Sequence, residues 1–311
     1  MEADNQTLGS GFILMGFPPL PCLQATLFSV FSLFYSATLV GNVLIILIIR
    51  SDSRLHTPMY FFLCNFSLLD ILNPSVTIPR MLSDLLSETK SISHTACITQ
   101  IFFYIFFASV ECSLLSVMAF DRYAAVCQPL HYHAIMNWGV CTQLAAATWV
   151  SGCLYSMMHT VATSRLTFCG SKTINHFFCD VPPLLLLACS DTTVNMVIIY
   201  ICVVILGVGN AMVTLSSYIH IISTILKIQS KDGRMKTFST CGSHLAVVSL
   251  YYGSLIGMYF RPMSSYAMSK AWMASVIYTS CTPMLNPLIY SLRNNEVKGA
   301  LRRMLGNKEL F

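Results

Sequence analysis

Charge is what this chain has least of. Lys and Arg number 18 and Asp and Glu 13 in 311 residues, 10% in all, where a soluble domain carries about 25%. A chain so poor in charge and 55% hydrophobic, with a mean hydropathy of +0.66, could not solvate its own surface in water and belongs in a membrane. Basic clusters are scarce too: the net charge is only +5, and no Lys/Arg run is interleaved with aromatics, which excludes a nucleic-acid face. Catalytic signatures are missing. There is no Gly-rich phosphate loop, no His-Glu-x-x-His, and no Ser/His/Asp arrangement on a soluble domain, so the chain is expected not to be an enzyme and to carry no cofactor. No connection between apolar runs is long enough to hold a separate domain.

What is there is a series of seven apolar runs. They cover Ala25–Ile49, Met59–Ile78, Ile98–Ala119, Val140–Thr160, Met196–Leu226, Phe238–Phe260 and Ala271–Leu292. Each is near the ~20 residues a spanning helix needs. The expected fold class is an all-α membrane protein, a seven-helix transmembrane bundle. Its divisions are an external N-terminal segment (1–24), the bundle (25–292), and a cytoplasmic amphipathic helix with a tail (293–311). The first run follows no basic segment and is too long for a signal peptide. The last division reads as a helix over Asn294–Leu305, with Val297, Ala300, Leu301 and Met304 on one face, lying flat on the inner leaflet.

Orientation follows from the cations. With the N-terminus outside, twelve of the 18 Lys and Arg residues fall in inner segments, and none lies deep in a run. The positive-inside rule therefore predicts an external N-terminus and an internal C-terminus. Asn5-Gln6-Thr7 would then be an external glycosylation acceptor at Asn5.

Most of the 13 cysteines sit in apolar runs as small buried hydrophobes. Four do not. Cys97 opens the third run, and Cys169, Cys179 and Cys189 lie in the long connection after the fourth. On the oxidising side of the membrane these four allow three pairings.

The stretch Met118–Leu130 closes the third run with Asp121-Arg122-Tyr123. Cys97 and Arg122 stand 25 residues apart. That is roughly 37 Å of helix, which places them near opposite membrane faces. Two carboxyls, Asp70 and Glu111, fall near the midplane, where an ionisable group is a functional hypothesis. They would share a proton or bind a small cation with help from Asn42, Ser67 or Asn286. Asn286-Pro287 frees a backbone carbonyl in the seventh run and makes Asn286 to Tyr290 a plausible moving part. Tyr218 and Tyr290 lie at the level of Arg122. His159 stands at the outer end of the fourth run, either a ligand contact or simply solvated. Ser239–Ser243, with Cys241 and His244, reads as a helix end facing water or a partner.

These residues together resemble a rhodopsin-like (class A) G-protein-coupled receptor, and within that class an odorant receptor of the tetrapod type. The general marks are Gly41-Asn42, Asp70, Asp121-Arg122-Tyr123, Trp149 and Asn286-Pro287-Leu288-Ile289-Tyr290. The narrower marks are LHTPMY at 55–60, MAFDRYAAVCQPL at 118–130, SY at 217–218, KTFSTCGSHL at 236–245 and PMLNPLIYSLRN at 283–294. They run through the whole chain. Tyr251-Tyr252-Gly253-Ser254 stands where most class A receptors carry a Trp-x-Pro switch, a departure odorant receptors share.

The resemblance implies disulfides Cys97–Cys179 and Cys169–Cys189, and a sodium ion at Asp70 and Glu111. It implies that Asp121, Arg122, Tyr123, Tyr218, Tyr252, Asn286, Pro287 and Tyr290 couple the bundle to a G protein. By the same alignment, ligand would meet Tyr104, Ile105, Ala108, Ser109 and His159, with Val181 from the outer loop. On the facing helices it would meet Cys202, Val203, Leu206, Leu255, Ile256, Tyr259, Tyr278 and Thr279. A set without fixed charge suits a small neutral volatile molecule, held by apolar burial and a hydroxyl or two. The implied partners are that odorant, a stimulatory heterotrimeric G protein raising cyclic AMP, and plasma-membrane lipid. A class A receptor for another lipid-like ligand is the near alternative. A transporter or channel is the distant one, since no internal repeat or polar ring is visible.

Overall fold

The structure, a computed structural model, describes residues 11–17, 20–259, 274–293, 295–304 and 306, leaving aside ten side chains within helices (21, 232, 236, 239, 240, 259, 291–293 and 295). The helices are α1 (Pro21–Ser51), α2 (Pro58–Leu86), α3 (His94–Cys127), α4 (Trp138–Ser164), α5 (Thr193–Lys227) and α6 (Lys231–Tyr259). The seventh, α7, runs through Ile277–Cys281 and Thr282–Arg293, and α8 is Asn295–Met304. Among the described residues, α1, α2, α3 and α5 are long and apolar enough by composition alone to cross a membrane. In α4, α6 and α7, Ser, Thr, Gln and His dilute the apolar residues.

Local chemistry sets the helix starts. Proline stands in the first turn of α1 and of α2, where a missing N–H costs nothing. This is why α1 begins at Pro21, ahead of the apolar run that starts at Ala25. Ser93 caps α3 by accepting from the Ala96 N–H (3.2 Å), and Asn137 caps α4 by accepting from Val140 (3.0 Å).

α3 is the central helix. Leu114, Leu115, Val110 and Ile101 are fully buried on it. It lies so close to α4 that a Cβ built on Gly152 would stand 2.6 Å from Val110 Cγ2. Gly41 of α1 approaches Pro287 of α7 in the same way (3.1 Å). α5 has the opposite character. Val194, Val197, Tyr200, Val204, Ile205, Met212, Leu215 and Ile219 all face outward, as lipid-facing side chains do.

A small sheet closes the Cys97 end. β1 (Gly11–Leu14) lies between β2 (Ser91–Ser93), antiparallel, and β3 (Thr173–Ile174), parallel. Phe12 packs edge-on against Phe168 (5.0 Å), so the segment before α1 is folded down onto the connections. At the other end α8 is not simply laid on lipid. Val297 and Ala300 are buried against the bundle, Tyr60 donates to Glu296 (2.7 Å), and Arg303 pairs with Asp52. Of its apolar face, Met304 stays exposed.

Candidate functional site

Three levels of the bundle hold the polar and aromatic groups singled out by the sequence. At the Cys97 end, Cys97 and Cys179 are bonded, as are Cys169 and Cys189, with Cα atoms 5.5 and 5.8 Å apart. The first bond ties the α4–α5 connection to α3. Gln100 reinforces it, accepting from the Cys179 N–H and donating to the Val76 carbonyl, both at 2.9 Å.

The same connection sends His176, Phe177 and Phe178 into the bundle. His176 is buried, 3.1 Å from the Oγ of Ser275, just ahead of α7, with its ring on Phe177 and Phe178. Burial pushes its imidazole down to about 4, so it stays neutral.

Beneath Phe178 lies an aromatic cluster. Tyr104 meets Phe178 at 4.7 Å and Tyr278 edge-on at 6.2 Å, and Tyr251 meets Tyr278 at 5.7 Å. Tyr251 donates to the Ala108 carbonyl (2.7 Å), and Tyr104 points its hydroxyl at Met258 Sδ (3.9 Å). Ser109 and Thr279 are buried and turn their hydroxyls to Ile105 and Ser275 carbonyls. Cys202 and Val181 are buried, while Leu206 and Leu255 are half-buried.

Two residues of the expected set turn away from this cluster. Val203 is 43% exposed and Ile256 58%. Each lies about 100° around its helix from an inward neighbour, Cys202 or Leu255, so the helical pitch carries it outward. His159 corrects the solvated reading in another way: it is buried, packed edge-on against Tyr155 (4.8 Å), with Nε2 lacking a hydrogen-bond partner among the described residues. The Tyr259 side chain and Asn5 lie outside the described residues.

Glu111 forms the floor of the cluster. It accepts from Tyr278 (2.7 Å) and from Asn73 (3.2 Å), so a carboxyl expected only in an ion site also touches an expected ligand contact. Nearby in the bundle, Asn286 donates to both oxygens of Asp70 (2.9 and 3.0 Å). Pro287 cannot donate to the carbonyl four residues back, Pro283, and Asn42 Nδ2 takes that acceptor instead (3.2 Å). Among the described residues, four buried oxygens on α1, α2 and α7 have no partner here: Asn42 Oδ1, Asn73 Oδ1, Asn286 Oδ1 and Ser280 Oγ. Two carboxyls with spare amide and hydroxyl oxygens are the donor set a small hard cation takes.

A polar link connects this level to α5. The π-helical turn Val203–Val208 leaves the Leu206 carbonyl to Cys112 Sγ (3.6 Å), and Cys112 also lies 3.7 Å from the Tyr252 hydroxyl. Asn210 accepts from Ser116 (2.7 Å). None of Asn210, Cys112, Tyr251 and Gln100 carries a signal as a lone residue. Asn73 carries one: three residues after Asp70, it shares that helix face.

At the Arg122 end, Asp121 is fully buried. Its Oδ2 accepts from Arg122 Nη2 (2.7 Å) and Nε (3.2 Å), and its Oδ1 from Tyr132 (2.8 Å) of the α3–α4 connection. Tyr123 stands outside this pair, accepting from Gln128 (3.2 Å) with its ring beside His220. Tyr218 of α5 meets His244 Nδ1 of α6 at 2.7 Å, its ring stacked on the imidazole. The stretch around His244 is thus not a water-facing helix end: His244 and Ser243 are both buried, because α6 turns them toward α3 and α5. Tyr290 packs edge-on against Phe66. Between them lies a small, partly open cavity of about 20 Å³, room for about one water, lined by Met59, Leu63, Met118, Arg122, Ser243, His244 and Tyr290.

Comparison with known proteins agrees with this architecture. The family model for olfactory receptors matches residues 31–308. The chain is 46% identical over 310 residues to olfactory receptor 1G1 of Gorilla gorilla gorilla, covering all of this chain and 99% of that one. It is 48% identical to olfactory receptor 1J4 of Homo sapiens, covering 98% and 97%. Among solved structures it is similar to squid rhodopsin, with a TM-score of 0.75 at 16% identity over 93% of this chain and 81% of that one.

Proposed function

The chain belongs to the olfactory receptor family of seven-helix membrane receptors, and we propose that it reports a small, mostly neutral odorant to a stimulatory G protein that raises cyclic AMP. In this reading residues 1–24 lie outside the plasma membrane with Asn5 glycosylated, 25–292 form the receptor bundle, and 293–311 lie in the cytoplasm. Ligand enters beneath Phe178 and Val181, among Tyr104, Ile105, Ala108, Ser109, Leu206, Leu255, Tyr278 and Thr279. The G protein docks in the cleft at Arg122 once α6 moves outward. Asp121 and Tyr132 hold the resting state, and Tyr218, Tyr252 and Asn286 to Tyr290 carry the rearrangement. A sodium ion between Asp70 and Glu111 would bias the same equilibrium toward rest.

The observation that carries the ligand class is the ring cluster of Tyr104, Phe178, Tyr251 and Tyr278, which has apolar faces and hydroxyl edges. The one ionisable carboxyl touching it, Glu111, is already engaged by Tyr278 and Asn73. A carboxylate ligand would find no cation to pair with there among the described residues, and an ammonium would have to displace Tyr278 and Asn73 from Glu111, whereas a neutral molecule trades water for rings and a hydroxyl.

The test is potency in a cyclic AMP assay for Tyr104→Phe. Loss of one hydroxyl should weaken oxygenated agonists about tenfold, the value of one hydrogen bond, and leave hydrocarbon agonists within about twofold. An equal shift for both classes would contradict the hydroxyl's role.

A further inference from the structure

The polar link between α3 and α5 is built around one side chain. Asn210 stands at the midpoint of α5, a helix that otherwise turns mostly apolar side chains outward, and at that depth an unbonded amide is costly. Both ends of its carboxamide go to α3. Oδ1 accepts from Ser116 (2.7 Å), and Nδ2 donates to Ser113 Oγ (3.4 Å) and to Cys112 Sγ (3.8 Å).

Two features make this tie easy to release. Ser116 has one hydroxyl proton and faces two acceptors, Asn210 Oδ1 and, at 2.8 Å, the Ser113 carbonyl of its own helix. Letting go of Asn210 therefore leaves Ser116 bonded. Cys112 is shared in the same way. Besides Asn210, its Sγ meets the Leu206 carbonyl (3.6 Å), which the π-helical turn Val203–Val208 leaves to it, and the Tyr252 hydroxyl (3.7 Å). Tyr252 in turn packs edge-on against Tyr251 of the ring cluster (5.5 Å). A shift at Tyr251 or Leu206 thus reaches Asn210 through one sulfur. Beyond it, the α-helical stretch Gly209–Lys227 runs unbroken to Tyr218, about 12 Å further along the axis.

We propose that Asn210 is a positioning residue for signalling. Its bonds to Ser116 and Ser113 hold the inner half of α5 against α3 at rest. Their release, with Ser116 turning to the Ser113 carbonyl, carries a change at the ring cluster to Tyr218. The signalling role rests on the receptor reading above; the tie itself does not.

The test pairs two measurements: hydrogen exchange on the full chain in nanodiscs, with no odorant or G protein, and unliganded cyclic AMP in cells at matched surface level. Asn210→Leu, which removes the carboxamide and keeps its volume, should speed exchange across 203–214 at least about threefold and leave 97–104 unchanged. It should raise unliganded cyclic AMP about fivefold, the value of one hydrogen bond. Ser116→Ala, a smaller change should the first fail to fold, should act in the same direction on both readouts. The double variant should match Asn210→Leu alone, because both substitutions cut one tie. Ser116→Thr keeps the hydroxyl and should stay at the wild-type level. Unchanged exchange in both single variants, or effects that multiply in the double variant, overturns the tie. Faster exchange with flat cyclic AMP, in a chain whose wild type answers a volatile, overturns the signalling role and leaves Asn210 a structural residue. Faster exchange in a chain whose wild type answers no volatile overturns the receptor reading, and the signalling role with it, while supporting the tie.

Discussion

At the Cys97 end of the bundle, side chains fill the space: Phe178, Tyr104, Tyr251 and Tyr278 are all fully or almost fully buried against one another. At the Arg122 end a small open cavity of about 20 Å³ persists, and Tyr290 Oη on its wall lacks a hydrogen-bond partner among the described residues. The ends also differ in what locks them. The first is held by covalent bonds and by a buried neutral His176, the second by the Asp121–Arg122 and Asp52–Arg303 ion pairs and a Tyr218–His244 hydrogen bond. A ligand at the packed end must displace rings before it gains contacts, which lowers its apparent affinity by the fraction of molecules already open. The other end needs only weak bonds to break. The stable end therefore selects the ligand, and the loose end moves.

The largest expected effect comes from removing the first lock. Cys97→Ala opens a bond closing a loop of 82 residues, worth about 4 kcal/mol by chain entropy. Surface delivery should collapse, whereas Cys22→Ala, at an exposed free thiol, should leave it intact. Equal delivery for both would break the contrast between the ends.

His176 gives the next effect, and it depends on pH. Its folded value, about 4, lies below the unfolded value near 6.5. Between the two, only the unfolded chain binds the proton. Stability is therefore full above about pH 6.5 and falls as pH drops toward 4, by up to about 3 kcal/mol. The melting midpoint in nanodiscs should fall between pH 7.5 and 4.5, and His176→Gln should flatten that slope. Parallel slopes would show that His176 is not the titrating group.

The smallest effect tests the weak lock. Tyr218→Phe removes one hydrogen bond between α5 and α6, about 1 kcal/mol, so unliganded cyclic AMP should rise roughly fivefold at equal surface level. Unchanged basal signalling would mean that this bond does not hold the resting state.

The two ends were also unequally legible in the sequence. The spans follow from runs of near 20 apolar residues, and Asp121-Arg122 stands out as the polar group on which the third run ends. Side-chain facing was less accessible. Val203 and Ile256 are apolar like their inward neighbours, so only the rotation of the folded helix separates wall from lipid face. His244 and Ser243 read as facing water or a partner, and polarity in a helix cannot decide between the two until a partner such as Tyr218, distant in sequence, is known. The β1–β2–β3 sheet was invisible for the same reason. Its strands are two to four residues long, and their pairing is decided by chain connections rather than by period.

The measurement that bears most directly on the account is cyclic AMP across a panel of neutral volatiles, for the wild-type chain and Arg122→Ala at matched surface level. Coupling between the ring cluster and the Arg122 cleft predicts that at least one volatile activates the wild type and that the variant stays silent to it. A response of equal size in the variant would contradict the coupling, since signalling would then pass to the G protein without the residue at its centre.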